Sequence, residues 1–320
     1  MNISILLPGA GVYGGVRRFC NFADALIDRG HKVDIYTPEG KSPWWLSCKA
    51  LFIKQDCFLK QDHDVTISAY PSIEEFKLST KAIANKKVFY LCGIYDPISM
   101  AKGKKPKNNW IAKLNEATEM FLTSPEFIKV ANATWLTDFV KENIGVDIQT
   151  LIGGIDRKIF NPFKVKKINN SVIYTGEQRR FKASNYIVNS FDKIRSYVPK
   201  VYFNTYKGRG LKQKQMAEFI CSHTVFADDQ VLAGWHNPVI EAMACGMPVA
   251  CFDIPGVKDF AFHGENCLLA PLGSKNVLAK SIATLLMDKK LADKLSANAL
   301  KTADQFTWEK TVTEFERIIN

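Results

Sequence analysis

The sequence contains little that would place it in a membrane or in a disulfide-stabilised scaffold. No apolar run approaches the roughly 20 residues that a membrane-spanning helix requires, although hydrophobic residues make up 47% of the 320-residue chain. The chain starts directly with an apolar segment and lacks the charged-then-apolar layout of a signal peptide. Its eight cysteines include no Cys-x-x-Cys pair, which disfavours a zinc or disulfide framework. We therefore expect a cytoplasmic protein whose cysteines are reduced core residues.

Internal repeats and low-complexity segments are also missing, and acidic residues are in the minority. The chain carries 43 Lys and Arg against 32 Asp and Glu, which gives a formal net charge of +11. Such an excess favours an anionic partner, which could be a phosphorylated small molecule, an anionic membrane or a nucleic acid. Because no motif of a nucleic-acid-binding module is present, we rank nucleic acid below the other two.

The chain alternates between apolar strand-like segments and amphipathic helix-like segments, which is typical of a doubly wound α/β fold. Near the N-terminus, an apolar strand from Ile3 to Leu7 leads into a glycine-rich loop that contains Gly14 and Gly15. An apolar helical stripe follows, and then a second strand from Val33 to Tyr36. Further predicted strands are 64–68, 87–91, 127–131, 171–175, 200–203, 224–226 and 249–252, and further predicted helices are 134–143, 183–194, 214–221, 274–287 and 308–319.

A change in composition near residue 163 predicts a boundary between two domains. The segment Phe160–Phe163 is followed by a polar run from Lys164 to Asn170, after which a second alternating unit begins. We therefore expect one domain over residues 1–163 and a second over residues 164–305.

The segment from Gly234 to Val249 carries the most information about function. Asn237 is predicted to cap a short helix, Pro238 suits its first turn, and Gly246 ends it. The unpaired N–H groups and partial positive charge at such a helix N-terminus suit a phosphate group. Glu241, within the same helix, can accept hydrogen bonds from sugar hydroxyls. The segment therefore predicts a site for a phosphorylated sugar compound.

This segment resembles the donor-site signature of family-4 glycosyltransferases of the group 1 type, which retain anomeric configuration and have the GT-B fold. Three other segments match the family pattern in the same order, namely 14–18, 153–162 and 174–182. The resemblance implies two doubly wound Rossmann-like domains that face a central cleft. It also implies that the first domain is acceptor-side, that the second binds the nucleotide sugar, and that the segment 306–320 crosses back to the first domain.

The resemblance further implies which residues contact the donor. Lys182 stands at the family's phosphate-binding lysine, and Arg179 or Arg180 would supply the neighbouring arginine, since charge-assisted hydrogen bonds to phosphate are strong. Gly14 and Gly15 would let the backbone approach the diphosphate closely. The other predicted donor-binding residues surround the short helix: His236, Asn237, Pro238, Val239, Ile240 and Glu241.

Two positions depart from the family pattern. Ala233 stands where the family has the first Glu of its Glu-x7-Glu motif, and Glu177 stands where it has the phosphate-binding Arg. These departures leave a second hypothesis open, a catalytically weakened relative that binds sugar nucleotide or glycan or supports a partner transferase. A dehydrogenase ranks low, because we do not count the loop from Gly9 to Gly15 as a clean Gly-x-Gly-x-x-Gly dinucleotide fingerprint.

The acceptor is expected on the first domain. Tyr95 and Asp96 follow a predicted strand, at the carboxyl end where ligands bind in such sheets, and they are the acceptor-side candidates. The basic run 102–107 with Trp110 is either a solvated loop or a contact for anionic lipid headgroups. The segment 62–64 has the Asp-x-Asp spacing of metal-dependent transferases of another fold, but we interpret it as loop charge.

Taken together, these features predict a retaining, metal-independent glycosyltransferase that uses a nucleotide-diphosphate sugar as co-substrate and no other cofactor. The acceptor would be a hydroxyl of a glycan, a lipid-linked molecule or a small molecule. A peripheral contact with an anionic membrane is a further expected partner, and nucleic acid is not expected.

Overall fold

The computed structural model describes residues 1–104, 106–176, 185–206 and 208–320. The chain divides into two compact units. Unit 1 comprises Met1–Gly154 together with Trp308–Asn320, and unit 2 comprises Ile155–Thr307. Each unit contains a parallel sheet and helices, so the predicted α/β class is confirmed.

The strands of unit 1 are β1 Asn2–Leu6, β2 Lys32–Thr37, β3 Leu51–Lys54, β4 His63–Ser68, β5 Ala84–Leu91, β6 Phe127–Ala131 and β7 Gln149–Thr150. Within the described residues they form one seven-stranded sheet in the order β3-β2-β1-β4-β5-β6-β7. Central strand β1 is buried from Ile3 to Leu6. This burial explains its largely apolar sequence, because a parallel sheet covered on both faces needs apolar side chains in both directions, and the hydroxyl of the one buried polar residue, Ser4, is hydrogen-bonded to His63.

The first helices of unit 1 are α1 Gly14–Asp28, α2 Ile73–Lys81, α3 Pro97–Ala101, α4 Asn109–Thr123 and α5 Thr134–Ile144, with a 3-10 helix at Gln55–Lys60. The buried face of α1 includes Phe19, Phe22 and Leu26, whose spacing of three and four residues places them on one side of the helix. The rings of Phe19 and Phe22 meet the Tyr90 ring of β5 edge-on, at centroid distances of 5.4 and 6.1 Å. These contacts fix α1 against the sheet.

Unit 2 has the strands β8 Ser171–Tyr174, β9 Tyr202–Thr205, β10 Val225–Asp228, β11 Val249–Asp253 and β12 Leu268–Pro271. In the described part of unit 2 these strands form a five-stranded parallel sheet in the order β12-β11-β10-β8-β9. The helices are α6 Phe191–Tyr197, α7 Gln213–Cys221, α8 Asn237–Ala244, α9 Lys275–Met287 and α10 Lys289–Ala303, with 3-10 helices at Val188–Ser190 and Pro255–Val257.

The last helix, α11 Trp308–Ile319, belongs to unit 1 although it follows unit 2 in sequence. Val312 and Phe315 are 0% exposed in the core of unit 1. The Phe315 ring lies edge-on to Phe22 of α1, with centroids 5.1 Å apart. The apolar stripe of α11 therefore serves packing.

The boundary between the two units lies earlier than the predicted change at residue 163. Ile155 N donates to Phe306 O at 2.9 Å. The Arg157 guanidinium donates to Ala244 O at 2.5 Å and pairs with Asp304 at 2.9 Å. These bonds hold the segment after residue 154 within unit 2, so the polar run that suggested a linker is a mostly exposed segment inside that unit.

Within its described part, the predicted helix over 183–194 is α-helical only from Phe191 onward. Asn185 has a positive φ of 54°, a left-handed conformation that cannot continue an α-helix and that asparagine tolerates better than most residues. A 3-10 turn at Val188–Ser190 follows, and α6 begins only at Phe191. The other predicted helices and strands are present, most of them with shifted ends, whereas β3, β7, β12, α2, α3, α4 and α10 were not predicted.

The described part of the chain contains no helix with the length and apolar character that crossing a bilayer requires.

Candidate functional site

The strand order of unit 2 reverses direction between β8 and β10. From β8 the chain moves outward to β9, and then returns to the other side of β8 to form β10, β11 and β12 in succession. Ligands of open parallel sheets bind outside the carboxyl ends of the strands at such a reversal, because the loops there leave in opposite directions. The residues that follow β8 and β10 are therefore the first candidates for a site in unit 2.

A buried hydrogen-bonded cluster spans this reversal point. Oδ1 of Asp228, the last residue of β10, lies 2.7 Å from Nε2 of His236 and accepts a hydrogen bond from Gln230 N at 2.9 Å. Its Oδ2 accepts a hydrogen bond from the hydroxyl of Thr175, which follows β8. Asp228 and His236 are 1% and 2% exposed. The cluster therefore ties the ends of two adjacent strands to the residue before α8.

Opposing effects set the pKa of Asp228. Burial alone would raise it, but the charge of His236 and the hydrogen bonds from the surrounding donors outweigh burial and leave the pKa below its usual value. Asp228 is therefore a carboxylate at neutral pH. In contrast, burial raises the pKa of its neighbour Asp229 to about 6, although Asp229 Oδ2 accepts a hydrogen bond from Ile187 N at 3.1 Å.

The cap of α8 differs from the prediction by one residue. His236, not Asn237, is the residue before the helix, and Asn237 is its first residue. The His236 ring bonds Asp228, so it is directed away from the capping position. This shift reflects a tertiary hydrogen bond that local capping preferences do not contain.

The first N–H groups of α8 already have backbone acceptors. Asn237 N donates to a carbonyl of the preceding loop at 3.0 Å, and the N–H groups of Val239 and Ile240 donate to His236 O at 3.2 and 3.4 Å. Pro238 contributes no N–H. The expectation of unpaired N–H groups is therefore wrong for this turn, which offers a ligand mainly the partial charge of the helix.

The other predicted residues of α8 are buried. Glu241 is 3% exposed, and the side chains of Val239 and Ile240 lie in the core at 0%. A hydrogen bond from the Cys245 thiol to Cys221, burial and the charge of Glu241 all help to hold the pKa of the Cys245 thiol well above its usual value. The Glu241 carboxylate thus lies close to the end of its own helix, and its predicted contact with a ribose stays a prediction.

Lys182, Arg179 and Arg180, which the sequence assigns to the diphosphate, lie outside the described residues, as does Glu177. Gly176 precedes them and has a positive φ of 68°. A Cβ atom at Gly176 would lie 2.0 Å from the Thr205 hydroxyl oxygen of β9. The chain therefore leaves β8 through a position that only glycine fits.

Unit 1 has its own reversal point, between β1 and β4. The glycine loop follows β1, and α1 begins at Gly14 after Tyr13. A Cβ atom at Gly15 would meet no atom within 4 Å. Gly14 and Gly15 therefore lie at the carboxyl edge of the unit 1 sheet, where the backbone at Gly15 is uncrowded.

The same loop also has the Gly-x-Gly-x-x-Gly spacing, at Gly9, Gly11 and Gly14. Our low rank for a dehydrogenase therefore cannot rest on the spacing of these glycines. The motif alone fits either kind of phosphate ligand, and other findings have to decide between them.

The two acceptor-side candidates follow β5 at this edge of unit 1. The Tyr95 ring packs against the Trp110 ring with centroids 5.3 Å apart. Oδ1 of Asp96 accepts a hydrogen bond from Ser99 N at 3.0 Å and caps α3. Asp96 thus has a structural role, and a contact of either residue with an acceptor remains a prediction.

The segment 62–64 is used in the packing of unit 1. The His63 ring lies between the Ser4 hydroxyl at 2.8 Å and the Phe58 carbonyl at 2.9 Å, and Asp64 Oδ2 accepts a hydrogen bond from Asn2 N at 2.6 Å. Among the described residues, no three His, Cys, Asp or Glu side chains are placed to hold a metal ion. The eight cysteines are free thiols.

Sequence reasoning missed Asp228 and Thr175, the two residues that anchor the cluster of unit 2. The available signal was their position, because each is a polar residue at the end of an apolar strand and both strands lie in one parallel sheet. Their mutual hydrogen bond depends on β8 and β10 being neighbours, which the order of strands along the chain does not reveal.

The part of the chain that contains most of this cluster also matches a known protein family. Residues 210–302 match the family model described as "Glycosyl transferases group 1". Over these residues the chain is similar to group 1 glycosyl transferases. The resemblance inferred from the sequence is therefore confirmed there, and the match includes Asp228, His236 and Glu241.

Among individual relatives, the D-inositol 3-phosphate glycosyltransferase of Jonesia denitrificans is 37% identical over 75 residues, which are 23% of this chain and 18% of that protein. Two further curated relatives are matched over 37% and 21% of their own lengths. The chain thus matches less than half the length of each of these relatives.

Solved structures show the fold over a longer range. The sucrose-phosphate synthase from Thermosynechococcus elongatus is similar with a TM-score of 0.74 at 14% identity, covering 99% of this chain and 97% of that one. HepE from Anabaena, solved in complex with UDP-glucose, gives a TM-score of 0.72 at 14% identity and covers 98% of both chains. The predicted GT-B fold class is confirmed.

Proposed function

We propose that the protein is a glycosyltransferase that moves a sugar from a nucleotide-diphosphate sugar to a hydroxyl acceptor. The observation that carries this proposal is that the group 1 glycosyl transferase match contains Asp228 and His236, which form most of the buried cluster at the β8/β10 reversal point. A sugar nucleotide also agrees with the net charge of +11, since the diphosphate is anionic. HepE in its complex with UDP-glucose supports the same donor class.

In the proposed reaction the bond between the sugar C1 and the diphosphate oxygen breaks, and its electron pair leaves with the diphosphate. The acceptor oxygen forms the new bond to C1 on the same face, so the configuration is retained, and its proton passes to the departing phosphate oxygen. Lys182 with Arg179 or Arg180 would neutralise the leaving group without a metal ion, because fixed cations stabilise charge that develops in the transition state. Glu241 would hold the ribose.

Ala233, which stands where the family has a Glu, is a reason to test the alternative of a catalytically weakened relative. A Cβ atom at Gly256 would lie 2.6 Å from the Ala233 carbonyl oxygen, and His236 N donates to Gly256 O at 2.9 Å. Residue 233 is therefore packed tightly beside the cluster. Substitution Ala233→Glu, followed by measurement of donor hydrolysis, separates a weakened enzyme, which would gain activity, from an enzyme that has adapted to alanine.

We propose a glycan or lipid-linked hydroxyl acceptor at the carboxyl edge of unit 1, beside Tyr95. We also propose that the basic segment near Trp110 contacts an anionic membrane from the cytoplasmic side. The segment 97–115 contains five lysines and no acidic residue, and this charge pattern suits an anionic lipid surface.

The donor class can be tested by thermal shift with UDP-, GDP-, ADP- and TDP-sugars, followed by a turnover assay with the sugar that binds. A ligand at about 100 times its Kd stabilises the folded state by about 2.7 kcal/mol, so one base should raise the Tm by several degrees. With that donor, Lys182→Ala should lower kcat for release of the nucleoside diphosphate about 100-fold or more.

The matched control is Lys214→Ala, which removes an exposed lysine of α7 in the same unit. It should leave both Tm and kcat near the wild-type values. Normal turnover of a folded Lys182→Ala protein would contradict the proposed role of Lys182. No thermal shift with any of the four donors would instead favour the weakened-relative hypothesis.

A further inference from the structure

The contact between Asp228 and His236 is an unusual use of two ionisable side chains. Both are almost fully buried, and the carboxylate and the ring are 2.7 Å apart. Removing two such groups from water costs several kcal/mol per ion in practice, and their attraction repays this only when hydrogen bonds satisfy the remaining atoms. Well-packed apolar residues would often be as stable. Stability alone is therefore a weak reason for this pair.

The surroundings of Asp228 fix the carboxylate from several sides. The Thr175 hydroxyl holds Oδ2, and the N–H of Gln230 holds Oδ1 together with His236. Thr175 is held in turn, because its carbonyl accepts a hydrogen bond from the Thr205 hydroxyl at 3.0 Å. The carboxylate thus has one orientation, set by strands β8, β9 and β10, and it imposes one orientation on the His236 ring.

This arrangement leaves one ring atom for a ligand. Because Nε2 is committed to Asp228, a ligand can meet the ring only at Nδ1. The ring is 2% exposed, so it offers a ligand an edge and not a face, which suits a single directed hydrogen bond. The ring also precedes α8, whose N-terminal partial charge favours an anion at the same place.

Building on the proposed function, we propose that Asp228 is a positioning residue that orients His236 so that Nδ1–H donates a hydrogen bond to a phosphate oxygen of the nucleotide-diphosphate sugar. Because Nε2–H donates to the carboxylate, a donating Nδ1–H places protons on both ring nitrogens, as in the imidazolium. As the C1–O bond breaks, negative charge grows on the leaving diphosphate, and the imidazolium stabilises it while keeping its own proton. No bond to His236 forms, and the electron pair stays on the diphosphate.

The test separates a contact with phosphate from a merely structural role. For the base that the thermal-shift screen identifies, the Kd of the free nucleoside and the Kd of the nucleoside diphosphate are measured by calorimetry. A charge-assisted hydrogen bond is worth about 1.5–3 kcal/mol, which corresponds to about 10- to 100-fold in Kd. His236→Asn should lose about that factor for the diphosphate and bind the nucleoside as the wild type does.

The turnover assay supplies a second readout that structural damage alone would not reproduce. His236→Asn should lower kcat by a larger factor than it changes KM for the donor, because charge on the diphosphate grows in the transition state. Asp228→Asn keeps an oxygen that can accept a hydrogen bond from the His236 ring but removes the negative charge of the carboxylate. It should therefore also lower kcat more than it changes KM, by a smaller factor than His236→Asn does.

A buried histidine elsewhere in unit 2 provides the matched control. His223 is 0% exposed and bonds Asn204 at 2.9 Å and Phe219 O at 2.8 Å, but it precedes β10 and so lies at the opposite edge of the sheet. His223→Asn should lower the Tm and leave the ratio of the two Kd values unchanged. If His223→Asn and His236→Asn change that ratio equally, the assignment is overturned.

Loss of one partner from a buried pair can prevent folding, so a neutral pair serves as the second variant. The double substitution Asp228→Asn with His236→Gln leaves no uncompensated charge. It should fold, bind the nucleoside and still lose the preference for the diphosphate; an unchanged preference would overturn the proposal. Failure of the wild type to bind any of the nucleoside diphosphates would instead overturn the proposed function, so the two failures are distinguishable.

Discussion

Glu75 shows how a single buried carboxyl can link pH to stability in unit 1. It is 4% exposed, and its Oε1 accepts hydrogen bonds from Ala69 N at 3.1 Å and Tyr70 N at 3.2 Å. Burial raises the pKa of Glu75 to about 8, although the two backbone hydrogen bonds act in the opposite direction. The folded protein therefore keeps this carboxyl largely protonated at neutral pH.

The direction of the pH effect follows from this raised pKa. An unfolded Glu has a pKa of about 4.3, so between about pH 4 and pH 8 the folded chain binds more protons than the unfolded chain, and the free energy of unfolding falls as pH rises. Glu75→Gln keeps an acceptor oxygen but removes the titration. Relative to the wild type, the variant should gain on the order of a few kcal/mol between pH 5 and pH 8.5.

Urea denaturation at these two pH values measures the gain. Glu74→Gln is the matched control, because Glu74 is the preceding residue of the same helix and is less buried. The control should follow the wild type at both pH values. A difference between Glu75→Gln and wild type that stays constant with pH would show that Glu75 titrates normally in the folded protein.

At the residue scale, sequence reasoning found residues with local signatures and missed those defined by tertiary contacts. Gly14 and Glu241 were proposed from motifs; Glu241 lies on the expected helix, whereas Gly14 is the first residue of α1 and not part of the preceding loop. The pair of Asp228 and Thr175 was missed, because its hydrogen bond joins residues far apart in sequence. Polar residues after an apolar strand are common in loops, so their burial is visible only once the strand order is known.

At the element scale, α11 is the clearest case of a helix that acts through packing. Its residues Val312, Phe315 and Ile319 form one buried face against the core of unit 1, while Glu314 and Arg317 pair on the exposed side at 2.6 Å. Because helices in proteins gain most of their stability from burying an amphipathic face, α11 should depend on this contact more than on its own propensity.

Phe315→Ala should therefore destabilise unit 1 by about 3–5 kcal/mol, the usual cost of removing a buried aromatic ring. Glu314→Ala, which removes one partner of the exposed ion pair on the same helix, should cost about 1 kcal/mol or less. Urea denaturation followed by far-UV circular dichroism measures both. Equal effects of the two substitutions would mean that α11 is not anchored by its apolar face.

At the element scale, the sequence predicted best those strands and helices whose apolar residues form a clear run or a clear periodic pattern. The strands that were predicted, such as β1 and β11, are short and mostly apolar, as burial on both faces demands. Strand β3 was missed because it lies at the sheet edge, with both of its ends exposed. The error over 183–194 arose because a left-handed residue, Asn185, interrupts a sequence that otherwise has helical periodicity.

At the scale of the whole molecule, the uneven placement of charge matters more than its total. Most of the net charge of +11 lies in unit 2, which carries 22 Lys and Arg against 13 Asp and Glu, but in unit 1 the segment 97–115 concentrates basic residues without an acidic one. Lys102, Lys104, Lys107 and Lys113 are exposed there. Ile98 and Trp110 are 68% and 47% exposed in the same segment. Exposed apolar side chains beside lysines favour the interface of an anionic bilayer over bulk water.

Binding to vesicles rich in phosphatidylglycerol tests this partner directly. Each basic residue near such a surface contributes about 1 kcal/mol, so reversing two of them with Lys102→Glu and Lys104→Glu should weaken vesicle binding more than tenfold. Trp110→Ala should weaken binding by a similar factor at low and at high salt, because salt does not screen the apolar contribution.

The control Lys289→Glu with Lys290→Glu makes the same change in net charge on exposed lysines of α10 in unit 2. If both pairs of substitutions weaken binding equally, the attraction belongs to the total charge and the segment 97–115 is not the contact. If the wild type binds no vesicles at low salt, the membrane proposal is wrong, whereas the donor proposal stands unaffected because none of its residues lies in the segment 97–115.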